Sequence, residues 1–170
     1  LRSVAMTRKT TQAFGLEIEP LVISEMVKHS TLGLEDAIRV FSFTDVLTLL
    51  KDDVNLFIAV GVLKHTTSIG YSLDTAQISA LAKKVTDIED FASSLVELSL
   101  SESEILLQKD IRFQIFQQVK STFTNHGLKV KFPMVVDMVE ILSKRAEYDQ
   151  LGPSLVRYSI EQVKEIVSNG

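Results

Sequence analysis

The sequence predicts an all-α fold: a single-domain bundle of about eight helices around one long central helix, residues 102–126. Three observations support this prediction. Helix-capping patterns recur along the chain, apolar residues repeat at three- and four-residue spacing, and no two alternating segments lie where they could pair as strands. Segment 101–127 carries no Pro or Gly before Gly127, and its apolar residues cover most of the circumference. Such a helix belongs among other helices.

Residues 1–15 show no apolar periodicity, so they are expected to form a flexible N-terminal arm. This arm contains Arg2, Arg8 and Lys9 and no acidic residue, a composition also typical of the remainder of a transit peptide. The flexible arm is the favoured interpretation. Residues 16–170 are expected to form the single all-helical domain.

Helix signals follow in order along the chain. Pro20 suits the first turn of a short helix, and Ser42 with Asp45 approximates a capping box. Thr86 with Glu89 matches a capping box for the helix before the central one. The predicted helices up to that point cover residues 19–29, 34–41, 43–51, 54–65 and 75–84, with a further one after Thr86.

Segment 54–65 is apolar nearly all round, which predicts a buried helix, with a buried strand as the alternative. Gly61 is expected to allow a close approach there. The central helix is expected to start at the capping box of Ser101 and Glu104. Residues 128–132 alternate apolar and basic, which indicates a short connector or a lone strand. Helices over 133–147 and 154–168 complete the chain. No internal repeat of the length typical of solenoids is recognisable, which argues against a solenoid.

Composition indicates a soluble globular protein. Hydrophobic residues make up 45% and charged residues 24% of the chain, and the formal net charge is −4. The chain has no Cys, which excludes disulfides and thiolate ligands and favours an intracellular, reducing compartment. Its longest apolar run, Leu56–Leu63, is too short to span a membrane.

Two adjoining blocks carry opposite charge. Residues 86–104 contain six acidic and no basic residues, whereas residues 105–131 contain five basic residues and only Asp110 as an acid. Such blocks pair within a fold or across a subunit contact, or else form two solvated faces. As a hypothesis we assign partner binding to Asp87, Glu89, Asp90, Glu97, Lys109, Arg112 and Lys120.

No constellation for catalysis is found. The histidines His29, His65 and His126 lie far apart, each near a predicted helix end, so no metal site or cofactor is predicted. Asp110, Gln114 and Gln117 lie on the polar line of the central helix, where they face solvent or form a buried network; solvent is favoured. The chain is predicted not to be an enzyme.

The sequence therefore predicts a non-enzymatic protein-interaction or scaffold module, whose partner is another protein or a second copy of the chain. One alternative is a nucleic-acid-binding coat or regulatory domain that uses the basic segment 105–131, although the acidic net charge does not favour it. Another is a carrier of an apolar ligand, with a cavity beside Phe57, Phe113 and Phe116.

Overall fold

The computed structural model describes residues 2–28, 33–144 and 148–169, and this part of the chain is helical without a β-strand. The predicted all-α class is therefore confirmed. The described residues form twelve α-helices: α1 Arg2–Ala13, α2 Pro20–Lys28, α3 Leu34–Val40, α4 Phe43–Lys51, α5 Leu56–Ser68, α6 Thr75–Ala82, α7 Ile88–Glu97, α8 Leu100–Gln108, α9 Phe113–Asn125, α10 Phe132–Ser143, α11 Leu151–Leu155 and α12 Ile160–Asn169. A 3-10 helix, Tyr148–Gln150, precedes α11.

Contacts divide the chain into two compact units, residues 1–95 and 96–170, where the sequence analysis expects one domain. In unit 1, α1 packs against α2 and α3, and α5 packs against α3, α4 and α6. In unit 2, α9 packs against α10 and α11, and α12 packs against the same two helices. The core of unit 2 includes Leu106, Phe116, Val119, Val139 and Val163. No helix in the described ranges is long and apolar enough to cross a membrane.

Residues 102–126 do not form the long central helix that the sequence predicts. They are divided between α8, which ends at Gln108, and α9, which begins at Phe113. Asp110 causes the break, because its φ of 53° places it in the left-handed region. The apparent all-round apolar surface is the sum of two separate helices. In α9 alone, the buried side chains form one stripe: Phe113, Phe116, Val119 and Phe123.

Residues 2–13, part of the predicted flexible arm, form helix α1. The buried side chains of Thr7 and Thr11 lie one turn apart on this helix. Polar threonines conceal the apolar periodicity on which the sequence analysis relied. The N-terminal helix therefore has one buried and one exposed face, although the buried face is partly polar.

Several predicted helix ends shift by a few residues. The capping box of α8 is formed by Ser99 and Glu102, not by Ser101 and Glu104. Helix α7 begins after Asp87, whose carboxylate accepts hydrogen bonds from the N–H groups of the second and third residues that follow. Asp74 caps α6 with a capping box, and Gly127, after α9, has positive φ.

The predicted C-terminal helix over 154–168 is also divided. Helix α11 ends at Leu155, and α12 begins at Ile160 after a cap in which Ser159 and Gln162 exchange hydrogen bonds. Val156, which an unbroken helix over 154–168 would place on its apolar face, is exposed in the connection. The helix predicted over 133–147 ends at Ser143, and its last three residues lie outside the described part of the chain, as does His29.

Helix boundaries recur along the chain at a constant offset in residue number. Helix α4 over 43–51 recurs as α8 over 100–108, and α5 over 56–68 recurs as α9 over 113–125. Helices α6 and α10 begin at residues 75 and 132, and helices α3 and α7 end at residues 40 and 97. We call this shared offset the repeat interval. The boundaries therefore indicate a tandem repeat of four helices.

The same local structures mark equivalent positions. Gly15, Gly70 and Gly127 follow α1, α5 and α9, and each has positive φ. At each glycine, two backbone hydrogen bonds close the helix in the Schellman pattern. Ser42 and Ser99 cap α4 and α8 by accepting a bond from the N–H group three residues later, and Ser159 does the same for α12.

Burial follows the same register. Residues separated by the repeat interval are buried in both copies: Leu49 with Leu106, Val62 with Val119, Ile78 with Val135, and Leu81 with Met138. We therefore define repeat 1 as α1–α4, repeat 2 as α5–α8 and repeat 3 as α9–α12. The separation from Gly15 to Gly70 is slightly shorter than the repeat interval, and that from Ser99 to Ser159 is slightly longer, so short insertions or deletions separate some copies.

Candidate functional site

A groove in unit 1 runs between α3, α5 and the first residue of α7. Its volume is about 430 Å³. Its apolar lining includes Val40, Phe57, Val60 and Ile88. The side chains of Val40 and Phe57 are 51% and 50% exposed, so two large apolar groups remain accessible at this site.

Two glycines bring the walls of the groove together. A Cβ atom on Gly61 would lie 2.6 Å from Cγ1 of Ile88, so only glycine lets α5 approach that side chain as closely. A Cβ atom on Gly33 would lie 2.6 Å from the backbone nitrogen of Phe57. Gly33 also has a φ of 81°, a backbone conformation that residues with a side chain rarely adopt. The glycines thus set the width of the groove, and the prediction of a close approach at Gly61 is confirmed.

The rim of the groove carries mixed charge. Nη2 of Arg39 lies 2.8 Å from Oε1 of Glu35, and the guanidinium lies 5.2 Å from the centre of the Phe14 ring. Lys64 lies on the rim and makes no ion pair among the described residues. Asp36 and His65 complete the polar lining. An apolar floor beside the ammonium group of Lys64 suits an apolar side chain that is followed or preceded by an acid.

The acidic block predicted to bind a partner is partly engaged within the fold. The carboxylate of Asp87 caps α7. Oε2 of Glu97 lies 3.3 Å from Nζ of Lys120, and Oε1 of Glu97 accepts a hydrogen bond from Gln117. Glu89 is exposed and Asp90 is half-buried. Of the predicted residues, the structure thus brings Glu97 and Lys120 together.

The basic block is engaged in the same way. Nζ of Lys109 lies 2.8 Å from Oε1 of Glu140, and Nη2 of Arg112 donates to Oε1 of Gln114 at 3.3 Å. With Lys120 paired to Glu97, three of the five basic residues of segment 105–131 have partners in unit 2. Lys129 and Lys131 are exposed.

The polar line of the predicted central helix faces solvent, as the sequence analysis favoured. Asp110 and Gln114 are exposed and Gln117 is half-buried. Nδ1 of His126 lies 2.8 Å from the carbonyl oxygen of Thr122, at the end of α9. Among the described residues, no group of three or more His, Asp or Glu side chains is placed to hold a metal ion.

The three phenylalanines proposed to line a ligand cavity have different environments. Phe113 and Phe116 are buried in the core of unit 2, where their rings stack with centroids 6.2 Å apart. Phe57 lies in unit 1 and lines the groove. Sequence reasoning missed the groove because it assigned Phe57 to the core. The available signal was that segment 54–65 is apolar on more sides than its neighbours can cover.

Against known protein families, curated proteins and solved structures, this chain gave no match.

Proposed function

We propose that this chain is a non-enzymatic protein-interaction or scaffold module built from tandem helical repeats. The observation that carries this proposal is the occurrence of a four-helix unit three times along the chain. Tandem helical repeats place similar units side by side and commonly present extended surfaces to partner proteins. The unit recurs with its caps, left-handed closures and buried positions, so the recurrence is structural and not merely compositional.

The groove of unit 1 is the proposed docking site. Half-exposed Phe57 and Val40 offer apolar area that an entering side chain would remove from water. Aromatic groups at the centre of an apolar patch are common anchors of protein interfaces. Lys64 favours an acidic group beside the anchor. The proposed partner is therefore a protein segment with an apolar side chain next to Asp or Glu.

The charged residues predicted from the sequence form a secondary hypothesis. Lys109, Glu97 and Lys120 already have ion-pair partners at 2.8 Å and 3.3 Å, so a protein partner would have to compete for them. Glu89 is exposed, so a partner could bind it without displacing an existing ion pair. We therefore rank the groove above the charged blocks as the contact surface.

Affinity capture with matched variants tests the proposal. Phe57→Glu places a charge at the groove, on the second residue of α5, where an acid suits the helix dipole. Leu21→Glu places the same charge on the second residue of α2, at a position that is also exposed. We expect wild type and Leu21→Glu to capture a common protein that Phe57→Glu loses. With that protein purified, we expect Phe57→Glu to weaken Kd at least about tenfold.

Two results would count against the proposal. If all three chains bind the same proteins with the same Kd, the groove is not the contact surface. If the chain instead binds nucleic acid with an affinity that falls steeply between two salt concentrations, the basic-segment alternative is favoured.

A further inference from the structure

We propose that the groove of unit 1 binds an apolar group that carries an adjacent anion, and that the equivalent surface of unit 2 is closed to such a ligand. The groove is the docking site of the proposed function, on which this inference therefore rests. The class of ligand follows from the lining of the groove, and the restriction to one site follows from its comparison with the surface that lies one repeat interval later.

The face of α5 that lines the groove combines apolar side chains with a cation. Phe57, Val60 and Lys64 lie at three- and four-residue spacing, so they share one side of the helix. Phe57 is half exposed, and Lys64 makes no ion pair with another described residue. An apolar group with an adjacent anion would cover the exposed ring and pair with the ammonium group at the same time.

The opposite wall of the groove does not cancel this preference. Arg39 on α3 is already paired with Glu35. Asp36 is the acid in the lining, and it lies in the first turn of α3, where the helix dipole offsets part of its charge. Lys64 therefore remains the cation that is available to an entering anion.

The equivalent surface in unit 2 is formed by the last residue of α7 and by α9, and it is polar. The residues that lie one repeat interval after Val40, Phe57, Val60 and Lys64 are Glu97, Gln114, Gln117 and Ser121. Three apolar side chains are thus replaced by a carboxylate and two amides, and the cation is replaced by a hydroxyl. The helices are retained between the two surfaces, but the chemistry is not.

The polar side chains of this second surface are bonded to one another. Oε1 of Glu97 accepts a hydrogen bond from Gln117, and Oε2 of Glu97 lies 3.3 Å from Nζ of Lys120. An apolar group placed here would have to break these contacts or bury polar atoms without partners, and both cost free energy. The contacts of Glu97 therefore close the surface to the ligand that the groove accepts.

A single groove changes what a partner must provide. Helical repeat proteins commonly bind an extended partner along the surfaces of successive repeats. Here the residues at positions 40, 57, 60 and 64 confine apolar docking to one of two equivalent surfaces. A partner therefore needs one apolar anchor beside an acid, and not a series of anchors spaced to match the repeats.

Anilinonaphthalene sulfonate (ANS) is a direct probe of this chemistry, because it joins aromatic rings to an anion and reports exposed apolar surface by its fluorescence. Two variants exchange the four residues between the surfaces. The closed variant carries Val40→Glu, Phe57→Gln, Val60→Gln and Lys64→Ser. The opened variant carries Glu97→Val, Gln114→Phe, Gln117→Val and Ser121→Lys. In titrations we expect the closed variant to bind one ANS molecule fewer than wild type, and the opened variant to bind one more.

Single substitutions serve as controls for charge. Glu97→Gln removes the ion pair with Lys120 without adding an apolar side chain, so it should bind ANS like wild type. Lys64→Gln should weaken the Kd for ANS about threefold, since it removes a partly exposed ion pair with the sulfonate. Lys51→Gln changes the net charge equally at an exposed position of α4 outside the groove, and it should leave Kd unchanged. Circular dichroism checks that each variant is folded.

Three results would overturn the proposal: a closed variant that binds as many ANS molecules as wild type, an opened variant that gains no site, or equal effects of Lys64→Gln and Lys51→Gln. The proposed function is tested separately by protein capture. A captured protein that Phe57→Glu loses, together with ANS binding that the exchanges do not alter, refutes this inference alone. ANS binding that follows the exchanges, without such a captured protein, refutes the proposed function alone.

Discussion

Lys109 and Glu140 form an ion pair between repeats 2 and 3, at the place where repeats 1 and 2 are joined by an acid and a base in the opposite order. Their charged atoms lie 2.8 Å apart, and the equivalent atoms of Asp52 and Lys83 lie 3.9 Å apart. Asp52 and Lys109, like Lys83 and Glu140, are separated by the repeat interval. The position of the contact is thus retained between repeats although its polarity is reversed.

Exchanging the residues of the Lys109–Glu140 pair should preserve the contribution of the ion pair to the free energy of unfolding. We expect Lys109→Glu alone to destabilise the protein by about 0.5 kcal/mol, because two acids then face each other at a partly exposed site. The double variant Lys109→Glu with Glu140→Lys should recover most of that loss. Urea unfolding of the single and double variants measures the coupling free energy. A coupling of zero would mean that the two side chains do not interact in solution.

Thr7→Val should stabilise the protein. The Oγ1 atom of Thr7 is buried without a hydrogen-bond partner among the described residues, and the equivalent residues of the other repeats are Val62 and Val119. Valine has nearly the same shape and removes the cost of burying an unpaired hydroxyl. We expect the free energy of unfolding to rise by about 1 kcal/mol, measured by urea denaturation.

Thr66→Val is the matched control for that substitution. The Oγ1 atom of Thr66 is also buried, but it donates to the carbonyl oxygen of Val62 at 2.7 Å. Replacing it should therefore give no comparable gain. Equal stabilisation by both substitutions would contradict the assignment of an unpaired hydroxyl at Thr7.

Asp110→Gly should be more stable than wild type, and Asp110→Ala less stable. Asp110 holds a φ of 53°, a conformation that costs glycine little and alanine about 1 kcal/mol. Gly127→Ala provides a reference, because a Cβ atom there would meet no atom within 4 Å and the whole loss comes from the backbone. Thermal unfolding of the variants gives the ranking. A more stable Asp110→Ala than Asp110→Gly would indicate that the turn is not left-handed in solution.

The effect of Gly61→Ala on the free energy of unfolding should change sign when the residue at position 88 is changed. In wild type the new Cβ atom would lie 2.6 Å from Cγ1 of Ile88, and we expect a loss of about 1–3 kcal/mol. In an Ile88→Ala background only Cβ of residue 88 remains, 3.8 Å away, and alanine should then stabilise α5 by up to about 1 kcal/mol. Urea unfolding of all four chains tests this reversal. If Gly61→Ala lowers the free energy of unfolding equally in both backgrounds, the contact with the Ile88 side chain is not the cause of the strain.

Asp45 should make the stability of unit 1 dependent on pH. Hydrogen bonds from Ser42 and Thr75 to its carboxylate lower the pKa of Asp45. Its contribution is therefore complete above the unfolded-state pKa of about 3.9 and is lost as pH falls through the lower folded-state pKa. We expect wild type to be more stable than Asp45→Asn at neutral pH, and the difference to shrink below about pH 4.

Thr75→Val checks the cause of this pH dependence. Thr75 donates to Oδ1 of Asp45 at 2.8 Å. Removing this hydroxyl should reduce the pH-dependent stability that Asp45 contributes. It should not abolish that contribution, because the hydrogen bond from Ser42 remains. A stability difference between wild type and Asp45→Asn that stays constant from neutral pH to pH 3 would contradict the lowered pKa.

The all-helical class and most helix boundaries could be predicted because caps and apolar spacing are local signals. The division at Asp110 could not, since Asp adopts the left-handed conformation more readily than most residues but only occasionally, so an Asp within an apolar segment does not by itself mark a turn. It ends α8 because Leu106 and Ile111, on either side of the turn, are both buried in the core of unit 2. That burial depends on residues distant in sequence, which the local pattern does not contain.

The repeats and the groove were missed for related reasons. Equivalent buried positions share burial but not residue type, as with Thr66 and Phe123. The repeat interval is also longer than the periods typical of known solenoid families. Phe57 illustrates the limit for the site, because composition predicts burial for a phenylalanine and only the packing of α3 and α5 leaves it half exposed.

The exchanged polarity of the two ion pairs has a consequence for how this chain finds its native arrangement. Similar neighbouring copies are prone to misassembly, in which an element docks on the wrong copy. If α10 replaced α6 against α4, Asp52 would face Glu140; if α6 replaced α10 against α8, Lys109 would face Lys83. Each wrong pairing places like charges side by side. Electrostatic repulsion therefore disfavours both wrong pairings during folding.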